Sequence, residues 1–329
     1  LGTPAAASAA GTLKWGYALV NVTPASSTVA SNYQRQSNGQ HPTVVRNGTG
    51  ENTVTFPGIA AAANDGIVQI TAAQSPGFCQ SNGWHISGTN VVASVLCFSA
   101  SGASADLPFT IEYTVASGSR ALAYGWDDVV TGSGALPSLW SYDGKGGALS
   151  STNTSTGNYT VTVPNLAGGN GTVKITPWGF SPTRCSVVSW GGGSVRVGCT
   201  DAAGNPKNSA FNLTFVNRLP LIGVVGHKNG YSWNYFSSSD YNPSGPYQFD
   251  SAAGTMTINY LGTGMYVVRF AGFGQNHGNV QATAYGSAAG VTCNADGWDG
   301  EFSLENVYVT CTNGSGTNVD SLFTVQFFI

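Results

Sequence analysis

The placement of six cysteines constrains this chain more than any other feature. They fall as Cys79/Cys97, Cys185/Cys199 and Cys293/Cys311, with first members 106 and then 108 residues apart (185 − 79 and 293 − 185). A tryptophan follows each first cysteine by five positions: Trp84, Trp190 and Trp298. Six cysteines alone allow fifteen pairings; the repeat register selects the three local ones. Each bridge then closes a hairpin-sized loop and contributes on the order of 3 kcal/mol by restricting the unfolded chain. Three local bridges imply an oxidising, extracytoplasmic compartment. A tryptophan recurring beside a disulfide is expected to plug a core.

Other landmarks keep the same period. Gly50-Glu-Asn-Thr-Val-Thr-Phe-Pro-Gly, Gly157-Asn-Tyr-Thr-Val-Thr-Val-Pro-Asn and Gly264-Met-Tyr-Val-Val-Arg-Phe-Ala-Gly precede Gly66-Ile-Val-Gln-Ile-Thr, Gly171-Thr-Val-Lys-Ile-Thr and Gly278-Asn-Val-Gln-Ala-Thr. The copies close on Leu107-Pro-Phe-Thr-Ile-Glu-Tyr, Phe211-Asn-Leu-Thr-Phe-Val and Leu322-Phe-Thr-Val-Gln-Phe-Phe. Such a period is domain-sized, too long for a solenoid. The segments alternate apolar and polar with period two, are rich in Val, Thr, Ile, Tyr and Phe, and are bounded by Asn-Gly, Asp-Gly, Gly-Gly and Pro-Gly turns. The pattern predicts an all-β chain of three tandem, homologous β-sandwich domains, each with about seven or eight strands and one local disulfide. The expected boundaries are an N-terminal arm at 1–11 and copies at 12–117, 118–220 and 221–329. The cysteine spacing is too short for the inter-sheet bridge of an antibody domain, which removes that assignment.

The segment Val45-Arg-Asn-Gly-Thr-Gly-Glu-Asn-Thr-Val-Thr-Phe-Pro-Gly, with the later Cys, Trp and Cys, resembles uncharacterised secreted repeat proteins of filamentous and gliding soil bacteria. Over about two strands it is also similar to the jelly-roll heads of phage tail fibres and of the complement/tumour-necrosis-factor group. Copy two departs, with Asn153-Thr-Ser-Thr-Gly in place of Asn-Gly-Thr-Gly. Neither resemblance brings a catalytic residue. The second implies jelly-roll-like sandwiches and a three-fold head. The connections around Ala116-Ser-Gly-Ser-Arg120 and Asn217-Arg-Leu-Pro220 are short, so neighbouring copies must touch. A compact pseudo-trimer and a straight rod both satisfy that, and the rod is the arrangement expected here.

Composition narrows function. Charged residues are 8% of the chain, against about 25% in ordinary soluble proteins, and fifteen acids against twelve bases leave a net charge of −3. Twelve dispersed Lys and Arg make no basic face for nucleic acid. No apolar run reaches the ~20 residues that span a bilayer. Low net charge also removes a barrier to self-association. The chain opens at Leu1 on an Ala/Gly-rich stretch without Met, which reads as a mature secreted protein with its signal peptide removed. Asn21, Asn47, Asn153, Asn158, Asn170, Asn212 and Asn313 begin glycosylation sequons, several of them expected by chance in a chain this rich in Asn, Ser and Thr.

The sequence holds no Gly-x-Ser-x-Gly elbow, His-Glu-x-x-His, Walker loop or Cys-x-x-Cys. His41, His85, His227 and His277 sit at different landmarks in different copies, so no triad repeats. Two carboxylate clusters stand out, Asp127-Asp128 and Asp296/Asp299/Glu301. The second has oxygen ligands at a spacing calcium accepts, although Asp-Gly also marks hairpin turns. Tyr231, Trp233 and Tyr235 alternate onto one face of a strand, with Tyr241 and Tyr247 following. Such rings suit a sugar, a protein interface or an inner-sheet face.

The leading expectation is a non-enzymatic extracellular structural or adhesive protein that self-assembles or coats a cell surface or matrix. Strand addition from the arm to a free terminal strand ending at Phe328-Ile329 would be its mechanism. The alternative is a lectin-like protein that binds a glycan through Tyr231, Trp233, Tyr235, Tyr241 and Tyr247. A third is a hydrolase with a site between copies, resting on the carboxylates.

Overall fold

The computed structural model describes residues 13–61, 65–164, 170–222, 226–274, 277–286 and 290–329. The proposed arm at 1–11 lies outside them. Copy one contributes β1 (Leu13–Val22), β2 (Ser27–Gln36), β3 (Thr43–Gly48), β4 (Glu51–Phe56), β5 (Ile67–Ala72), β6 (Gly77–Ser87), β7 (Asn90–Ser99) and β8 (Phe109–Ala116). Copy two contributes β9 (Leu122–Asp127), β10 (Ser133–Ala135), β11 (Ser141–Asp143), β12 (Ser150–Ser155), β13 (Asn158–Thr162), β14 (Thr172–Trp178), β15 (Thr183–Gly191), β16 (Ser194–Asp201) and β17 (Ala210–Val216). Copy three contributes β18 (Asn229–Asn234), β19 (Phe249–Asp250), β20 (Met256–Gly262), β21 (Met265–Ala271), β22 (Asn279–Tyr285), β23 (Thr292–Glu301), β24 (Leu304–Thr312) and β25 (Leu322–Phe328).

Each copy is a jelly-roll-like sandwich whose first and last strands lie side by side in an inner sheet. The inner orders are β2-β1-β8-β5, β11-β9-β17-β14 and β19-β18-β25-β22; the outer orders are β3-β4-β7-β6, β10-β12-β13-β16-β15 and β20-β21-β24-β23. The three disulfides pair as the repeat register requires, each joining directly opposed residues of the outer-sheet hairpin with Cα atoms 4.0–4.1 Å apart. The recurrent glycine at Gly50, Gly157 and Gly264 has φ near +70° because its carbonyl accepts the amide of Cys97, Cys199 or Cys311. A Cβ there would meet the carbonyl oxygen of the same cysteine at 2.3–2.6 Å, so only glycine fits.

The expected rod is not what forms. Ala73 of copy one bridges Ala295 of copy three, Trp178 of copy two bridges Ser81 of copy one, and Tyr285 of copy three bridges Val187 of copy two. Ala73, Trp178 and Tyr285 stand seven residues after Gly66, Gly171 and Gly278; Ser81, Val187 and Ala295 stand two after the first cysteines. The same bridge is therefore made three times in one rotational sense, and the copies close into a pseudo-three-fold ring.

Packing explains why. Along β8, Phe109, Ile111, Tyr113 and Val115 enter the core with Val54, Phe56 and Trp84. The alternate residues Thr110, Glu112 and Thr114 point the other way and are also buried. They face the pseudo-axis, where the polar faces of the inner sheets hydrogen-bond to one another. The hydroxyls of Thr71, Thr176 and Thr283 accept the amides of Ala282, Ile70 and Ile175 at 3.1, 2.9 and 3.3 Å. Thr110, Asn212 and Thr324 donate to the carbonyls of Val280, Val68 and Val173 at 2.7, 2.8 and 2.9 Å. Asn212 is thereby enclosed, which removes its sequon as a glycan acceptor in the folded chain.

The strand expected to be free, β25, lies between β22 and β18 and is hydrogen-bonded on both edges. It offers no template for addition, and that part of the assembly expectation is corrected. The outward edges are β2 and β3, β10 and β11, and β19 and β20.

Two ionisable side chains enter the axis. Glu112 and Lys174 are each 1% exposed, where the positions equivalent to Lys174 hold Gln69 and Gln281 and those equivalent to Glu112 hold Thr214 and Gln326. Burial drives the Glu112 carboxyl far above its ordinary pKa and the Lys174 amine far below, each charge partly offsetting the other. Lys174 Nζ donates to Thr324 Oγ1 at 3.0 Å. Lys174→Gln alone is expected to lose roughly 1–3 kcal/mol, because Glu112 stays buried without the amine that partly offsets its charge, whereas Glu112→Gln/Lys174→Gln should match or exceed the wild type. Urea denaturation of both variants at pH 7 checks this; a double variant weaker than the single one refutes it.

Candidate functional site

Aromatic residues drive β18 into an extended strand, and period two puts Tyr231 and Trp233 on one face, between β25 and β19. Tyr231 is fully enclosed, its hydroxyl accepting the amide of Arg218 at 3.2 Å; burial raises its pKa. It cannot touch a ligand, and the expectation for it is corrected. Trp233 packs against Tyr235, Tyr247 and Tyr285 with centroids 5.3, 5.3 and 5.1 Å away. Trp190 of copy two enters the same set, edge-on to Trp233, Tyr247 and Tyr285 at 5.9, 5.4 and 5.3 Å. Tyr241 donates its hydroxyl to Asn234 Oδ1 at 2.8 Å, accepts the amide of Tyr235 at 2.9 Å, and pairs its backbone with Ile258.

The other seams decide what this cluster is. Where copies one and two meet, Trp126 packs against Trp140 and Trp178, both at 5.2 Å. Where copies three and one meet, Trp298 lies edge-on to Tyr33 at 5.4 Å, and Leu19 and Ala73 join the core of copy three. The aromatic cluster is thus one version of a seam built three times. Trp84 and Trp298 are buried in the cores of their copies, Trp298 also meeting Tyr33 across a seam, while Trp190 is half-buried in the seam. Reading Tyr231 to Tyr247 in isolation missed Trp190 and Tyr285; the repeat register, which places Tyr285 at the Trp178 position, was the signal. One ring stays outside. Phe236 is 51% exposed and rests on Tyr235 and Tyr241 at 4.8 and 5.0 Å.

The carboxylates do not converge. Asp296, Asp299 and Glu301 lie along β23, with a bulge between Ala295 and Gly297, and the hairpin turns later, at Phe302-Ser303. The expected turn at Asp-Gly is therefore strand. Asp296 accepts from Thr310 Oγ1 at 3.1 Å and Asp299 from Asn306 Nδ2 at 2.8 Å. Among the described residues no group of three His, Cys, Asp or Glu is placed to hold a metal ion. His41 and His85 are exposed. His227 and His277 meet Arg35 and Lys228 in one open hollow where copies one and three join, and no carboxylate side chain lines it. His227 Nδ1 pairs with the main-chain oxygen of Ile329 at 2.7 Å. A nearby Arg35 and Lys228, added to burial, lower the pKa of His277.

No family model, curated protein or solved structure matches the chain.

Outside the axis, Asp127 is a second carboxylate altered by its surroundings. It ends β9, is buried, and accepts the amide of Val129 at 2.9 Å. Burial raises its pKa from 3.8 to about 6. An acid with a higher pKa folded than unfolded carries no penalty below the unfolded value. The penalty grows as pH rises through the interval and is complete above the folded value, at about 3 kcal/mol here. The equivalent residue in copy three is Asn234. Asp127→Asn should therefore raise the thermal midpoint at pH 8 and leave it unchanged near pH 3.5. An equal shift at both pH values would assign the effect to something other than charge.

Proposed function

We propose that this chain is a non-enzymatic, extracellular adhesive protein, a single-chain three-fold head that coats or holds a cell-surface or matrix partner through its outer sheets and hairpin tips. One observation carries the reading. Polar and aromatic residues with chemical potential are consumed at the seams, while large apolar side chains stand out in solvent on the periphery. Phe302 at the β23–β24 tip is 95% exposed and Phe180, between β14 and β15, is 76% exposed. Val45 on β3 and Leu261 on β20 are exposed as well. Isolated exposed apolar residues are ordinary on any protein; two phenylalanines at turn positions on a nearly uncharged surface are what a contact surface requires. Three disulfides fit work outside the cell.

Phe302→Ser/Phe180→Ser should keep the wild-type thermal midpoint, because neither ring is buried, and should reduce retention on insoluble cell-envelope and matrix preparations at least about tenfold, the effect of losing two contact anchors. Equal retention of the variant and the wild type in a sedimentation assay overturns the proposal.

A lectin-like reading keeps one specific support, the exposed Phe236 ring on Tyr235 and Tyr241. Trp233→Ala does not test it, since removing a seam tryptophan costs about 3–5 kcal/mol whether or not a sugar binds. Phe236→Ala leaves the seam intact. If a glycan stacks there, its binding on a glycan array is lost in Phe236→Ala with no change in thermal midpoint; a glycan bound equally by both proteins rules this face out.

A further inference from the structure

The position before each first cysteine holds Phe78 in copy one, Arg184 in copy two and Thr292 in copy three. The ring closure brings all three to the pseudo-axis, where with Cys79, Cys185 and Cys293 they line a cavity of about 40 Å³. A water needs ~10–15 Å³ of such space, so the cavity holds a small ion and little more.

Arg184 is 4% exposed, with its guanidinium carbon 4.3 Å above the Phe78 ring. Its Nη1 donates to the carbonyl of Ala202 at 2.6 Å and its Nη2 to that of Ala100. Its Nε and the hydroxyl of Thr292 are both buried, and neither has a hydrogen-bond partner among the described residues. Among the described residues the ion pair is Arg46 with Asp106, so Arg184 has no carboxylate against it. Asp201 acts on it only from a distance and is itself held by Asn205 and the amide of Ala203. Burial lowers the Arg184 pKa to about 10, which leaves it charged at neutral pH. An enclosed cation without a counter-charge is unfavourable by several kcal/mol.

We infer that this cavity binds one monovalent anion of chloride size, held by Arg184 Nε–H and Thr292 Oγ–H on the pseudo-three-fold axis. A single guanidinium among Ile70, Ile175, Ala282 and the half-cystines neutralises one negative charge and no more. Phe78 supplies the face that keeps the guanidinium plane in place. Since the lining comes from all three copies, the ion ties the ring together at its disulfide end, a role independent of any adhesive partner.

Crystals of the whole chain soaked in sodium bromide test it directly. The expected result is one anomalous peak in the cavity, within hydrogen-bonding distance of Arg184 Nε and Thr292 Oγ1. In solution the thermal midpoint should rise as chloride replaces gluconate at constant ionic strength, by mass action on the folded state. Arg184→Met should lose both the peak and the chloride response. Thr292→Val, which keeps the charge, should retain the response with the half-maximal chloride concentration raised about tenfold, the effect of losing one hydrogen bond to a charged group. A wild-type cavity without anomalous signal, or a chloride response undiminished in Thr292→Val, overturns the inference.

Discussion

The ring depends on the hydrogen bonds that three threonine hydroxyls accept across the seams. Thr71, Thr176 and Thr283 each take a backbone amide from the next copy, and the residues opposite them, Thr110, Asn212 and Thr324, each return a donor to a neighbouring carbonyl. Without these partners the polar faces of three inner sheets would be dry and unsatisfied, which is costlier than leaving them in water. With them, each inner sheet is buried on both sides, and the outer-sheet edge strands β6, β15 and β23 gain an adjoining edge in the next copy. Closure follows from polar complementarity, and the aromatic seams fill the space outside it.

Much of this was legible in the sequence. The period, the three disulfides, the all-β class and the invariant glycine were all fixed by strictly local requirements. The ring was not, for a definite reason. Phe-Thr-Ile-Glu-Tyr-Thr-Val reads as a strand with one face in a core and one in water, and a polar face buried against two others has the same alternation. Period two reports which residues share a face and is silent on what that face meets. The same ambiguity made β25 look like a free terminus although it lies inside a sheet.

The candidate site failed in an instructive way. Trp233, Tyr235, Tyr241 and Tyr247 do come close together, while Tyr231 packs on Phe249 instead, so proximity was legible for four of the five. Their environment was not, because the ring that completes the cluster, Trp190, lies in another copy. The carboxylates show the converse. Asp296, Asp299 and Glu301 are near in sequence, and a strand with a buried Trp298 among them spreads their oxygens along a hairpin. Sequence proximity gathers ligands in a loop and disperses them in a strand.

Joining the three copies in one chain has a consequence no homotrimer shares. In a true trimer every axial residue appears three times, so a lysine at the Lys174 position would place three amines against one another in the driest part of the protein, where like charges repel most strongly. Here the three equivalents are Gln69, Lys174 and Gln281, the one lysine donates to Thr324, and the single Glu112 stands opposite Gln69. The end of the axis follows the same logic, with one arginine, one phenylalanine and one threonine where symmetry would demand three of a kind. Axial positions are the place where covalent linkage of the copies allows the most divergence. They are also where a chain with so few ionisable residues has put Glu112, Lys174 and Arg184.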